Sequence, residues 1–181
     1  MPTGCRSCSH KRGSPVKDTT SPVPDETQLR AFALDLVEEQ YTMTLCTALQ
    51  DTPWAAPVYY VNLDFQFYFF SDPGSRHIQE SGTTGKAAAA VFHQSNSWKE
   101  IRGVQMSGQI EALRPGLESI RALRAYLKKF PFTQEFFDSG DRLDLEGFAK
   151  RFRVRLFRFR PSLLYYLDNR IRFSYREKVR I

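Results

Sequence analysis

The sequence predicts a mainly β domain: six or seven short strands curled into a closed barrel, with one helix ahead of them and further helices as covers. Three observations carry this. Short apolar or alternating runs follow one another from Thr42 to Tyr175, separated by turn residues. Aromatic residues make up 14% of the chain, with 15 Phe, and such side chains favour strands and flat binding surfaces. The two longest stretches of helical spacing lie outside these runs, before the first strand and after the fifth. Closing the sheet on itself is the physical way for so many short strands to avoid exposed edges.

Residues 1–25 are rich in Ser, Thr, Pro, Gly and Lys and hold little to bury, so a disordered tail is expected, with the folded domain over 26–181. Asp25 is the expected N-cap of the first helix, with Glu26 in its first turn; Leu29, Phe32, Ala33, Leu36 and Val37 form its apolar face, and it ends near Gln40. Strands are expected over Thr42–Leu49, Ala55–Asn62 and Phe65–Ser71, the last two joined as a hairpin through Leu63 and Asp64. A short helix from Ser75 to Ser81 closes at Gly82. Lys86–His93 and Val104–Leu113 are the next strands. Pro115 opens a helix striped by Leu117, Ile120, Leu123, Leu127 and Phe130. Phe132–Lys150 holds short helices or loops. Arg153–Arg160 alternates Arg with apolar residues, Pro161 interrupts it, and Leu163–Leu167 and Ile171–Tyr175 complete the sheet.

With 41% hydrophobic and 25% charged residues, the composition is that of one soluble globular domain. The net charge is +6, and from Arg151 onward ten cations face only Asp168 and Glu177. That basic end fits a solvated arginine face or an anionic ligand; binding to nucleic acid is the weaker alternative, because no aromatic–basic module accompanies it. No transmembrane run and no signal-peptide core occur, so a cytoplasmic protein without membrane contact is expected. Three Cys make no disulfide framework there; Cys46 is expected to be a core thiol. Cys5, Cys8 and His10 make half a zinc site with no second half, so no metal is expected.

The most specific chemistry lies where Phe65–Ser71 breaks into the turn before the short helix. Ser71, Ser75, Arg76 and His77 place two hydroxyls, one permanent and one titratable cation, and free helix amides around one volume, a donor set suited to phosphate. Capping alone accounts for the serines, but cations at a helix N-terminus call for an anion. Tyr59 and Tyr60 alternate faces, so at most one of them looks at a ligand. His93 is expected to be a half-buried strand histidine. Lys86 precedes four alanines, which make room either for a ring or for a closely packed helix. No nucleophile–base constellation, zinc-protease motif or nucleotide loop is present.

Ser75-Arg76-His77-x-Gln79-x-Ser81-Gly82 and Ile101-Arg102-Gly103-Val104-Gln105-x-x-Gly108, in this hairpin order, resemble the pyridoxamine 5′-phosphate oxidase-like FMN-binding split barrels, and among them the YhbP-like bacterial proteins. The resemblance spans about Gln28 to Arg180. It implies a split barrel and a homodimer with two sites at the interface. The FMN ring would lie along Pro57, Val58, Tyr59 and Tyr60, with Phe70 and Ser71 at the strand end, the phosphate on Ser75, Arg76 and His77, and Arg102 and Gln105 near the ring edge. Arg102, Trp98 and Arg172 or Tyr175 would be the candidates from the second subunit. The oxidases carry Arg-Lys where this chain has Arg76-His77, and a Gln where it has Gly103. No basic pair for a pyridoxal phosphate substrate is found, which argues against that activity. The implied function is a flavoprotein oxidoreductase that passes electrons from a donor, such as a nicotinamide, to a small-molecule substrate. The alternative is a non-flavin protein on the same barrel that takes haem, deazaflavin or a protein partner.

Overall fold

The computed structural model describes residues 23–136 and 145–181. The expected tail and its Cys5/Cys8/His10 cluster lie almost wholly outside the described residues. Helix α1 (Glu26–Glu39) starts at Asp25, whose carboxylate accepts from the Gln28 N–H at 2.8 Å while Gln28 Oε1 accepts from the Asp25 N–H at 3.0 Å. Leu29, Ala33, Leu36 and Val37 face the barrel and are buried.

Eight strand segments make one antiparallel sheet. β1 (Thr42–Leu49) and β2 (Thr52–Tyr59) form a hairpin through Gln50 and Asp51, both at positive φ, as a tight two-residue turn requires. β2 therefore starts earlier than expected, and Pro53 and Pro57 are tolerated because it is an edge strand. The expected single strand Ala55–Asn62 breaks at Tyr60; β3 (Val61–Leu63) continues and turns at Asp64 into β4 (Gln66–Ser71). The sheet order is β2-β1-β5-β6-β7-β4-β3, so β2 and β3, adjacent in the chain, stand at opposite edges. Crossing between them at Tyr60 curls the sheet into a split barrel. Tyr60 is fully buried there, and its hydroxyl donates to the Val37 carbonyl at 2.6 Å.

Helix α2 (Arg76–Thr84) follows β4 and ends at Gly85, φ +66, rather than at Gly82, which sits inside it. β5 (Ala87–Phe92) and β6 (Arg102–Ala112) flank a single 3-10 turn at Trp98–Glu100. α3 (Leu117–Lys129) starts after Pro115, with Gly116 at the cap and the Ser119 hydroxyl accepting from the Gly116 N–H. Its buried face is Ser119, Ala122, Leu123 and Tyr126; Leu117 and Ile120, expected in the stripe, are exposed. After α4 (Leu145–Phe152), β7 (Arg155–Asp168) runs straight through Pro161 because a bulge opposite Ser107 and Gly108 absorbs the missing N–H. Gly108 is needed there, since a Cβ would stand 2.1 Å from the Arg160 carbonyl oxygen. Ile171–Tyr175 forms turns, and the last strand is β8 (Arg176–Lys178), paired with β7.

Alternation along β4 gives two cores. Phe67 and Phe69 point into the barrel with Met43, Leu45, Phe157 and Phe159, whereas Tyr68 and Phe70 point outward under α3 and α4, against Tyr126 and Phe148. No helix among the described residues is long and apolar enough to cross a membrane.

Candidate functional site

α2 closes one end of the barrel, and its first turn meets the last residue of β4. Ser71 Oγ lies 2.9 Å from His77 Nε2 and 3.1 Å from Ser75 Oγ, and Ser75 Oγ lies 3.3 Å from the same ring nitrogen. Ser75 occupies the N-cap position, yet its hydroxyl caps nothing. The Ser75 carbonyl accepts from Ile78 and Gln79, while the N–H groups of Arg76 and His77, first in the helix, have no intrahelical acceptor. Asp72 and Gly74 hold the approach as a tight turn, through Gly74 N–H to Asp72 Oδ1 at 2.7 Å. These are the parts of an anion cradle, two hydroxyls and two amides at a positive helix end.

The charges around it are balanced. Arg76 Nε donates to Glu80 Oε1 at 2.6 Å, and its guanidinium lies 4.7 Å from the centre of the Trp54 ring on β2. Glu80 is buried and also accepts from the Thr47 hydroxyl of β1 at 2.6 Å. The Thr47 bond, followed by that from Arg76, holds the Glu80 carboxyl below the usual carboxylate range. Burial pushes the His77 imidazole below its ordinary value, opposed by the nearby Glu80 charge. His77 is therefore neutral near neutral pH, and Arg76 is the cradle's permanent cation. Its side chain keeps 43% exposure, which leaves its outer N–H groups open to a ligand. The donor set fits a phosphate monoester.

The remaining predicted residues do not join this cluster. Pro57 and Gln105 lie on the outer face of the barrel in one cross-strand row, Pro57–Thr44–Ala90–Gln105. Val58 packs against the barrel core. Tyr59 is half exposed, with its ring 5.2 Å from Phe130 and 5.8 Å from Phe132, and Tyr60 is sealed in the core. Phe70 belongs to the aromatic cluster under α3. Arg102 pairs with Glu39 at 3.1 Å. Trp98 packs edge-on against Phe173 at 5.4 Å, and Arg172 lies over the buried Tyr175. His93 is half-buried just past β5. Cys46 is not a core thiol: Leu45 and Thr47 take the inward positions, and Cys46 faces the outer side of the sheet, half-buried.

Sequence reasoning missed Glu80, Thr47 and Trp54. Glu80 carried a local signal, since Arg76 and Glu80 stand four apart on one helix. Thr47 and Trp54 are brought in by the sheet and left no local mark.

No family model matches the chain. A UPF0306 protein of Klebsiella pneumoniae is 30% identical over 140 residues, 76% of this chain and 84% of its own. The UPF0306 protein YhbP of Salmonella arizonae is 38% identical over 96 residues, 51% of this chain and 64% of its own. Among solved structures, an FAD-binding protein of Mesorhizobium loti superposes with a TM-score of 0.55 at 16% identity, covering 74% of this chain and 90% of that one. A candidate pyridoxamine 5′-phosphate oxidase of Listeria innocua gives 0.58 at 12% identity, covering 77% and 98%. The haem storage protein HutZ of Vibrio cholerae gives 0.59 at 13% identity, covering 75% and 92%. At these identities the structural matches establish the split-barrel fold.

Proposed function

The chain belongs to the UPF0306 family, and on that premise we propose that it is a cytoplasmic flavoprotein oxidoreductase that holds FMN by its phosphate at the start of α2. The observation that carries this reading is the triangle of Ser71, Ser75 and His77, in which a serine at the N-cap position leaves the helix uncapped. Flavin proteins and a haem protein among the structural neighbours support a planar cofactor on this barrel.

Bound flavin supplies two-electron chemistry that side chains lack. The chain's own residues bind and orient it. Ser71, Ser75 and the amides of Arg76 and His77 would donate to the phosphate, and Arg76, fixed by Glu80 and Trp54, would meet its charge. Pro57, Tyr59 and Gln105 would offer the ring an outward surface, with Val58 and Tyr60 on the core side of the same stretch, and Arg102 would serve its edge. The electron donor in this reading is a nicotinamide and the acceptor a small molecule. A homodimer completes the site; exposed Phe92, Trp98, Ile101 and Phe173 at one end of the barrel support it, being apolar surface that a second copy would cover.

The test is the visible spectrum of the purified full-length protein after FMN loading and desalting. Bands at roughly 370 and 450 nm that follow the protein, as flavin gives them, and FMN affinity reduced at least tenfold in Arg76→Ala, are the expected result. A protein that keeps no flavin sinks the reading. A Soret band in the protein as purified would instead favour a haem protein on the same barrel.

A further inference from the structure

We propose that the outer face of the barrel carries a second binding site, for a small planar aromatic molecule with an anionic group, in the cleft between Lys86 and Arg160. This site is independent of the flavin. The cleft holds about 1180 Å³, ample for a small ligand. Its floor is a row of outward positions on three adjacent strands, Cys46 on β1, Ala88 on β5 and Ser107 on β6, set opposite one another by the register. None is larger than a thiol, so a flat ring has room against the sheet.

This answers what three of the four alanines do. Ala87 and Ala89 point into the core, and Ala88 lines the cleft. Two backbone features build the walls. The left-handed Gly85 turns the chain out of α2 and places Lys86 on one side. The bulge in β7 opposite Ser107 and Gly108 brings Arg160, Pro161 and Ser162 to the other.

The charges choose the ligand. Among the described residues, two cations line the cleft and no carboxylate does. Lys86 hydrogen-bonds Thr84 through its backbone, which leaves its amine for a ligand. Arg160 holds Glu111 at 3.0 Å with one N–H group, and its half-exposed side chain offers further donors. An anionic group between Lys86 and Arg160 sets the ring over Ala88 and Pro161, with the hydroxyls of Ser107 and Ser162 at its edge.

The test uses the full chain with naphthalene-2-sulfonate and its neutral sulfonamide, followed by titration calorimetry. One sulfonate per chain is expected, with the sulfonamide at least tenfold weaker. Lys86→Ala should weaken the sulfonate at least fivefold. Ser107→Phe, an exposed strand position where the new ring fills the floor, should abolish binding without loss of the fold. The sulfonate should also slow alkylation of Cys46, followed by peptide mass spectrometry. Equal affinity for the two probes, unchanged binding in Ser107→Phe, or no binding at all because a second copy covers this face would each overturn the proposal.

Discussion

At the start of α1, Asp25 and Gln28 bond each other's backbone N–H groups and close the helix end on itself. At the start of α2, Ser75 stands in the same position and does nothing of the kind; its hydroxyl reaches Ser71 and His77 instead. One N-terminus is finished by its own residues. The other is left open at the meeting point of a strand, a helix and a buried imidazole. A helix start that declines its own cap leaves donors for something else, and in the proposed reading that contrast separates a structural helix end from one that takes a ligand.

The largest effect should come from forcing the second end to behave like the first. Ser75→Asp supplies the carboxylate that caps α1, so α2 should become no less stable. The same charge faces the proposed phosphate, and like-charge contacts cost several kcal/mol. FMN affinity, titrated by flavin fluorescence, should fall by about two orders of magnitude. Unchanged affinity would place the phosphate elsewhere.

Next in size is the reverse experiment. Asp25→Ala removes a complete capping box, and urea unfolding should record a loss of about 1 kcal/mol with FMN affinity unchanged. A loss of flavin without a loss of stability would reverse the roles given to the two helix ends.

A smaller effect separates the two ends by pH. The His77 pKa is held below its ordinary 6.5 by burial, so the unfolded chain binds the proton more readily than the native one. The stability this provides is present above 6.5 and is lost as pH falls below it. Glu80, with its pKa held below 4.5, contributes in a separate window, above 4.5 and lost as pH falls through its lowered value. His77→Gln should flatten the stability profile just below pH 6.5 and leave the decline at lower pH in place. A profile with the same slope as the parent would mean that His77 is not the group titrating there.

Much of this contrast is legible in the sequence. The Asp25 cap and the bounds of β1 follow from local rules, since a carboxylate three residues before an amide and an alternating apolar run need no partner elsewhere. Ser71, Ser75 and His77 sit within one turn of chain, so their meeting is legible too. Other features depend on distant chain. Arg76 reads as a free cation in the sequence, but Trp54 lies beside it and Glu80, itself held by Thr47, pairs with it. Tyr60 reads as a ligand wall, but it sits where the chain changes edges, which only the curl of the sheet decides. Cys46 reads as core because its strand is apolar, yet register turns it outward. Pro161 reads as a strand end, but a bulge in the same strand, opposite Ser107 and Gly108, accommodates it.

The smallest predicted effect is the sharpest. Ser75→Ala deletes a hydroxyl at an N-cap position, a change that ordinarily costs about 0.5–2 kcal/mol. Here no capping bond exists to lose. Ser71 remains 2.9 Å from His77, so the imidazole keeps a partner. Urea unfolding should therefore show a loss below about 0.5 kcal/mol, less than for Asp25→Ala, while FMN affinity falls severalfold. A full capping loss in this variant would mean that Ser75 serves the helix after all, and the difference between the two helix ends would then be one of geometry alone.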